Sequence, residues 1–179
     1  MKIRKTLASA TILGTLISIS AHSIAADGLS VKTEEPKLDG LKIAIIKNAV
    51  GSNEIIAGNY QLGLSKLTNS SDSALIGYET AMGLCAANIK LNELITADKA
   101  CTEAIEAISA LKGRGRHREF LKAIAYSNRA VVRYLDKDKG AALEDLTSAL
   151  LINDSSIIKN NIIALRDNTE TSTDEIYSD

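Results

Sequence analysis

The chain repeats itself. Gly51 aligns with Cys85, Gly58 with Asn92, Tyr60 with Leu94, Gly63 with Ala97, Leu67 with Cys101 and Ser70 with Ala104, all at one constant spacing. A further, longer step carries Cys85 to Ala130, Ala97 to Ala142, Cys101 to Leu146 and Ala104 to Ala149. A fixed period in the thirties constrains the fold more than any other feature here. Each unit is one supersecondary element that cannot bury its own apolar face and must stack on its neighbours. The expected fold class is all-α: a short α-solenoid of antiparallel helical hairpins.

Hydrophobic spacing supports helices independently of the repeat. Leu84, Ala87, Leu91 and Leu94 recur at helical intervals, as do Ala97, Ala100, Cys101, Ala104, Ile105 and Ile108. Asp98, Lys99, Thr102, Glu103 and Glu106 fill the opposite face, which gives an amphipathic helix. Ala142, Leu143, Leu146, Ala149, Leu150 and Ile152 repeat the pattern, and no proline follows Pro36 to break it. Ser155–Arg166 places Ile158, Ile162 and Leu165 on one side, as a helix closing the end of the stack would. Leu41–Ala57 reads two ways. Its β-branched Ile43, Ile45, Ile46 and Val50 and its Gly51-Ser52-Asn53 interruption suit an extended stretch followed by a short helix from about Asn53. β-branching disfavours helix only mildly, so a full helix stands beside that reading.

The N-terminal segment, Met1–Ala26, has the layout of a secretory signal peptide: Lys2, Arg4 and Lys5, then an uncharged apolar run, then small residues before Asp27. Cleavage after Ala25 and cleavage after Ala26 both fit. The apolar run is shorter than the roughly 20 residues of a spanning helix. Export, to the periplasm or beyond the cell, is the expectation. Removing 1–26 leaves 18 Lys plus Arg against 22 Asp plus Glu, a formal charge of −4. A mildly acidic chain argues against nucleic acid as a partner. Positions 27–40 then read as a linker, 41–166 as the helical repeat domain, and 167–179 as an acidic disordered tail.

Catalytic and metal-binding patterns are absent. His117 is the only histidine outside the signal segment, and it lies in the run GRGRHR. A nucleophile–histidine pair needs a rigid framework, and structural zinc needs about four nitrogen or sulfur ligands. Gly113-Arg114-Gly115 lacks the Lys-Ser/Thr that completes a phosphate loop. The acidic pairs Glu34-Glu35 and Glu144-Asp145 read as solvated charge. The expectation is a non-enzyme with no cofactor and no metal. Lys112, Arg114, Arg116 and Arg118 form a basic stretch, within the insertion that lengthens the second interval. It reads either as a contact for anionic groups of the cell envelope or as a solvated connector.

Cys85 and Cys101 are equidistant from Glu93, the midpoint of the expected hairpin turn, with eight positions to either side. At about 1.5 Å per residue both sit about 12 Å from the turn, at equal height on antiparallel helices. That placement suits a disulfide in an exported chain. The alternative is two buried thiols acting as small hydrophobes.

Asn128–Asp154, NRAVVRYLDKDKGAALEDLTSALLIND, resembles a bacterial tetratricopeptide repeat along its whole length without a gap. Ala130, Ala142 and Ala149 stand where that family places small residues, Leu146 in its large inter-helix slot and Asp138 in its turn. Asp154 stands where the family usually has proline. Tyr78–Leu111 is similar but less typical, with Cys85 in a small-residue slot and Asn92-Glu93-Leu94 in the turn. The resemblance implies a concave face built from the first helix of each hairpin. By position that face is Glu79, Met82, Ala86, Ile89 and Lys90 from one unit and Ile124, Ser127, Asn128, Val131 and Tyr134 from the next. Such a face suits a peptide or a protein helix, unless the N-terminal segment or the terminal helix folds over it. Gly83 occupies the slot that would partner Asn128 in carboxylate-gripping members, so that activity is not carried over. The partner is expected to be protein or peptide, its identity and the oligomeric state being open.

Overall fold

The structure, a computed structural model, describes residues 38, 40–70, 77–113 and 115–174, with 168–174 described for their backbone alone. The signal-like segment, most of the linker, Arg114 and residues 175–179 lie outside the described residues. Among the described residues there are seven helices and no strand. They are α1 (Ser52–Ile56), α2 (Tyr60–Asn69), α3 (Tyr78–Lys90), α4 (Leu94–Ala110), α5 (Arg116–Leu135), α6 (Lys139–Ile152) and α7 (Ser156–Asp174). Neighbouring helices pack as hairpins, α1 on α2, α3 on α4 and α5 on α6, with α7 against α5 and α6.

The internal repeat is visible atom by atom in the hairpin turns. Each turn has a middle residue in the left-handed region: Gly58 (φ 85°), Asn92 (φ 59°) and Lys137 (φ 70°). The hydrogen bonds also repeat. The middle residue donates to the carbonyl three back (Ile55, Ile89, Tyr134). The next residue donates to the carbonyl five back (Glu54, Asn88, Arg133). This pairing satisfies the last helical carbonyls and stops the helix. Glycine takes the left-handed region freely and asparagine readily, but lysine does so against the steric preference of its Cβ. In the third turn Asp138 adds a cap, its carboxylate accepting from the Ala141 amide at 2.9 Å.

Small residues sit where helices cross. A Cβ on Gly51 would lie 2.6 Å from the Gly63 carbonyl oxygen and 3.2 Å from Leu67 Cγ, so backbone packs on backbone in the first hairpin. The corresponding residues of the second hairpin are Cys85, Ala97 and Cys101, and those of the third are Ala130, Ala142 and Leu146. All six are buried. Ala104 and Ala149 are fully buried in the same way.

Of the two readings of the first segment the chain adopts the extended one, and two other boundaries differ from the sequence reading. Leu41–Ala57 divides into a non-helical stretch over 41–46, a run of turns over 47–51 and the short helix α1. α5 starts at Arg116, so Arg116, His117 and Arg118, read from sequence as part of an insertion, belong to a helix. Gly113 (φ 87°) turns the chain just before it. α7 runs to Asp174, into the stretch expected to be a tail, since 167–174 contains neither glycine nor proline to end it.

Candidate functional site

The first helices of the second and third hairpins, α3 and α5, together with α7, border a groove that residues 41–46 fill. Leu41 is buried with Cys85, Ile89 and Val131, among others, and Tyr134 and Ala164 pack beside them. Ala44 is buried with Met82, Ile124 and Leu121. Ile43 and Ile45 lean on the cluster of Ile55, Leu67, Ala86 and Ala87.

Two asparagines hold this segment by its backbone. Asn128, fully buried on α5, accepts from the Ala44 amide through Oδ1 at 2.8 Å and donates through Nδ2 to the Ala44 carbonyl at 2.9 Å. Asn161, fully buried on α7, does the same for Lys42, at 2.7 and 2.9 Å. The second N–H of Asn161 donates to Ser127 Oγ at 2.9 Å, which fixes which way the amide faces. A residue whose N–H and C=O both point to one partner, repeated at the next position but one, is in extended conformation. The extended alternative for this stretch is therefore the one the chain adopts. A primary amide has one acceptor and a donor pair in the geometry of a peptide edge. Asn128 and Asn161 thus engage the chain as a neighbouring strand would. Without the segment, Asn128 would lose both of these partners and Asn161 would keep only Ser127, and each polar group left buried without a partner costs about 1–3 kcal/mol.

The face expected to be open to a partner is therefore largely covered. Met82, Ala86, Ile89, Ile124, Ser127, Asn128 and Val131 are buried. Lys90 and Tyr134 are half-buried, and Lys90 lies 6.0 Å from the centre of the Tyr60 ring. Glu79 remains exposed, its carboxylate accepting from the Tyr78 hydroxyl at 3.2 Å. The reason is local. The β-branched Ile43, Ile45 and Ile46 suit an extended chain, and the buried asparagines need a backbone to pair with.

Outside the groove, the expected basic stretch is divided between the α4–α5 connection and the start of α5, with Arg114 outside the described residues. Lys112 and Arg116 are exposed, and Arg118 Nη1 donates to the Leu111 carbonyl at 3.0 Å, closing the α4–α5 connection. Asp145, read from sequence as solvated, is instead buried on α6. It accepts two hydrogen bonds from Arg129, at 2.8 and 2.9 Å, and pairs with Arg133 at 3.0 Å. Arg129 also donates to Thr102 at 3.0 Å, and Arg133 reaches Asp98 at 3.4 Å. This network ties α4, α5 and α6 together. Its hydrogen bonds to Asp145 raise the Arg129 pKa above the usual value, against the opposing effect of burial. Cys85 and Cys101 form a disulfide between α3 and α4, with Cα atoms 4.9 Å apart and both side chains buried. Among the described residues no three His, Cys, Asp or Glu side chains gather as a metal site requires.

No family model, no curated protein and no solved structure matches this chain.

Sequence patterning does not single out Asn161. One signal was available. Asn161 stands one position short of a full repeat period beyond Asn128, in a helix assigned only a closing role.

Proposed function

We propose that this chain is an exported, non-enzymatic scaffold of the tetratricopeptide type that binds polypeptide in the groove between α3, α5 and α7. The observation behind the reading is the pair Asn128 and Asn161. Each offers an amide to the backbone of an extended segment and makes no demand on its side chains. Backbone pairing of this kind supplies affinity, and flanking apolar sites supply selection. The groove floor fits that division, because Met82, Ile89, Ile124 and Val131 offer apolar contact around the two amides. The signal-like segment 1–26 and the disulfide support an oxidising destination such as the periplasm or the exterior.

The test uses short synthetic peptides with alternating apolar character, each made with and without N-methyl groups on alternate backbone nitrogens. Binding to the full chain by fluorescence anisotropy should be insensitive to salt between about 0.1 and about 1 M, a range over which the screening length falls from about 10 to about 3 Å. It should weaken at least about tenfold on N-methylation, which removes a hydrogen bond and leaves Oδ1 buried without a donor. Peptides that bind equally well with and without N-methyl groups would show that the backbone is not what the groove reads.

A further inference from the structure

Residues 41–46 belong to the groove in a different way from the helices that build it. No helix or strand ladder ties them in. The tertiary hydrogen bonds of their backbone run to Asn128 and Asn161, side chains 84 and 119 residues away in sequence. Only Leu41 and Ala44 are buried; Ile43, Ile45 and Ile46 are half-buried, and Lys42 and the adjoining Lys47 are exposed. The link to α1 is the turn run 47–51, which contains left-handed Asn48 (φ 64°) and Gly51 (φ 73°). The hairpins, by contrast, are closed by their own turns, by the Cys85–Cys101 bond and by the Arg129–Asp145 pair, none of which involves 41–46. A segment with few buried side chains and no secondary-structure bonds opens at lower free energy than the core around it.

We propose that residues 41–46 are an intramolecular stand-in for the groove's ligand, which a partner's extended segment must displace. This rests on the groove being a polypeptide site, and it adds both the ligand's chemistry and the regulation. The stand-in supplies the template. The partner segment carries a large apolar residue in the place of Leu41 and a small one in the place of Ala44, with free backbone N–H groups where Lys42 and Ala44 meet the two asparagines. Charge is tolerated at the Lys42 position, whose side chain is exposed. Small size at the second site follows from Ala44 lying against Met82, Ile124 and Leu121. The groove is then open only in the fraction of molecules whose own segment has left, and apparent affinity is reduced by that fraction.

Two measurements on the full chain test this. Hydrogen exchange of the unaltered protein needs no variant. The Lys42 and Ala44 amides should exchange at least about a hundredfold faster than those of Cys101 and Ala149, because local opening precedes global unfolding. Equal rates would mean that the segment leaves only when the whole protein unfolds, and the proposal would be wrong. The second measurement uses a labelled peptide of sequence GLKIAIIK, positions 40–47 of this chain. Lys42→Pro with Ala44→Pro removes both backbone donors while keeping an extended φ and leaving every groove residue in place. With a closed fraction of roughly 90–99.9%, this variant should bind the peptide at least about tenfold tighter than the unaltered chain. A folded variant that binds no tighter overturns the competition. If both proteins bind equally, the groove reading survives without it; if neither binds this peptide or any other, both fall. Should the variant not fold, the exchange result decides.

Discussion

Removing the disulfide by Cys85→Ala with Cys101→Ala should lower stability by about 3 kcal/mol. The structure fixes the terms of that figure. The bond joins residues with a sequence separation of 16, and in the chain-entropy account a closed loop of about 15 residues is worth about 3 kcal/mol, through restriction of the unfolded chain. The bridge spans α3 and α4, which already meet through Ala97, Ala100 and Ile89, so the folded hairpin has little reason to change. At about 2–4 °C per kcal/mol for a chain of this size, the melting temperature should fall by roughly 6–12 °C. Two alanines also leave small gaps beside Ile89 and Val131, which adds to the loss. The double variant is the right comparison, since a single change leaves a free thiol. Urea unfolding of both proteins, without reductant, measures the difference. The slope against denaturant should also rise in the variant, because its unfolded chain is less compact. A midpoint unchanged within error, with the same slope, would refute the reasoning. The bridge would then contribute nothing that helix packing does not already supply.

Asp145→Ala should cost about 3–5 kcal/mol, since it leaves Arg129 and Arg133 without the buried carboxylate they share; thermal unfolding followed by circular dichroism measures it. Lys137→Gly should stabilise by about 0.5–1 kcal/mol, the left-handed penalty of a lysine at φ 70° exceeding the backbone entropy of a glycine; the urea midpoint should rise with no change in slope. Met82→Lys should cost at least about 3 kcal/mol, because Met82 is fully buried against the inserted segment. A variant that keeps the parent melting temperature would mean that the groove is open in solution.

The repeat carried most of the fold. Small residues at Gly51, Gly63, Ala97, Ala130 and Ala142 announce helix crossings because a larger side chain cannot fit there, and that steric fact is written directly in residue size. Cys85 and Cys101 were legible from position, being equidistant from one turn. What the sequence left unresolved depends on pairing between distant residues. Asp145 beside Glu144 looks like solvated charge until Arg129, on another helix, folds against it. Lys137 has no intrinsic preference for a left-handed turn; the hairpin imposes it. Leu41–Ala57 was ambiguous because propensity separates helix from extended chain by only tenths of a kcal/mol per residue. The decision comes from Asn128 and Asn161, which supply the partners an extended backbone needs. Arg116 and Arg118 read as part of a connector because Gly113 and Gly115 precede them, yet the helix starts as soon as those glycines end.

The most direct test of the account is a nuclear Overhauser experiment on the folded, oxidised protein labelled with nitrogen-15. The expected result is cross-relaxation between the Asn128 side-chain amide protons and the Ala44 backbone amide, and between those of Asn161 and the Lys42 backbone amide, as bonds of 2.7 to 2.9 Å require. Asparagine amides with no such contacts, together with backbone amides over residues 41–46 tumbling freely on the nanosecond scale, would contradict it.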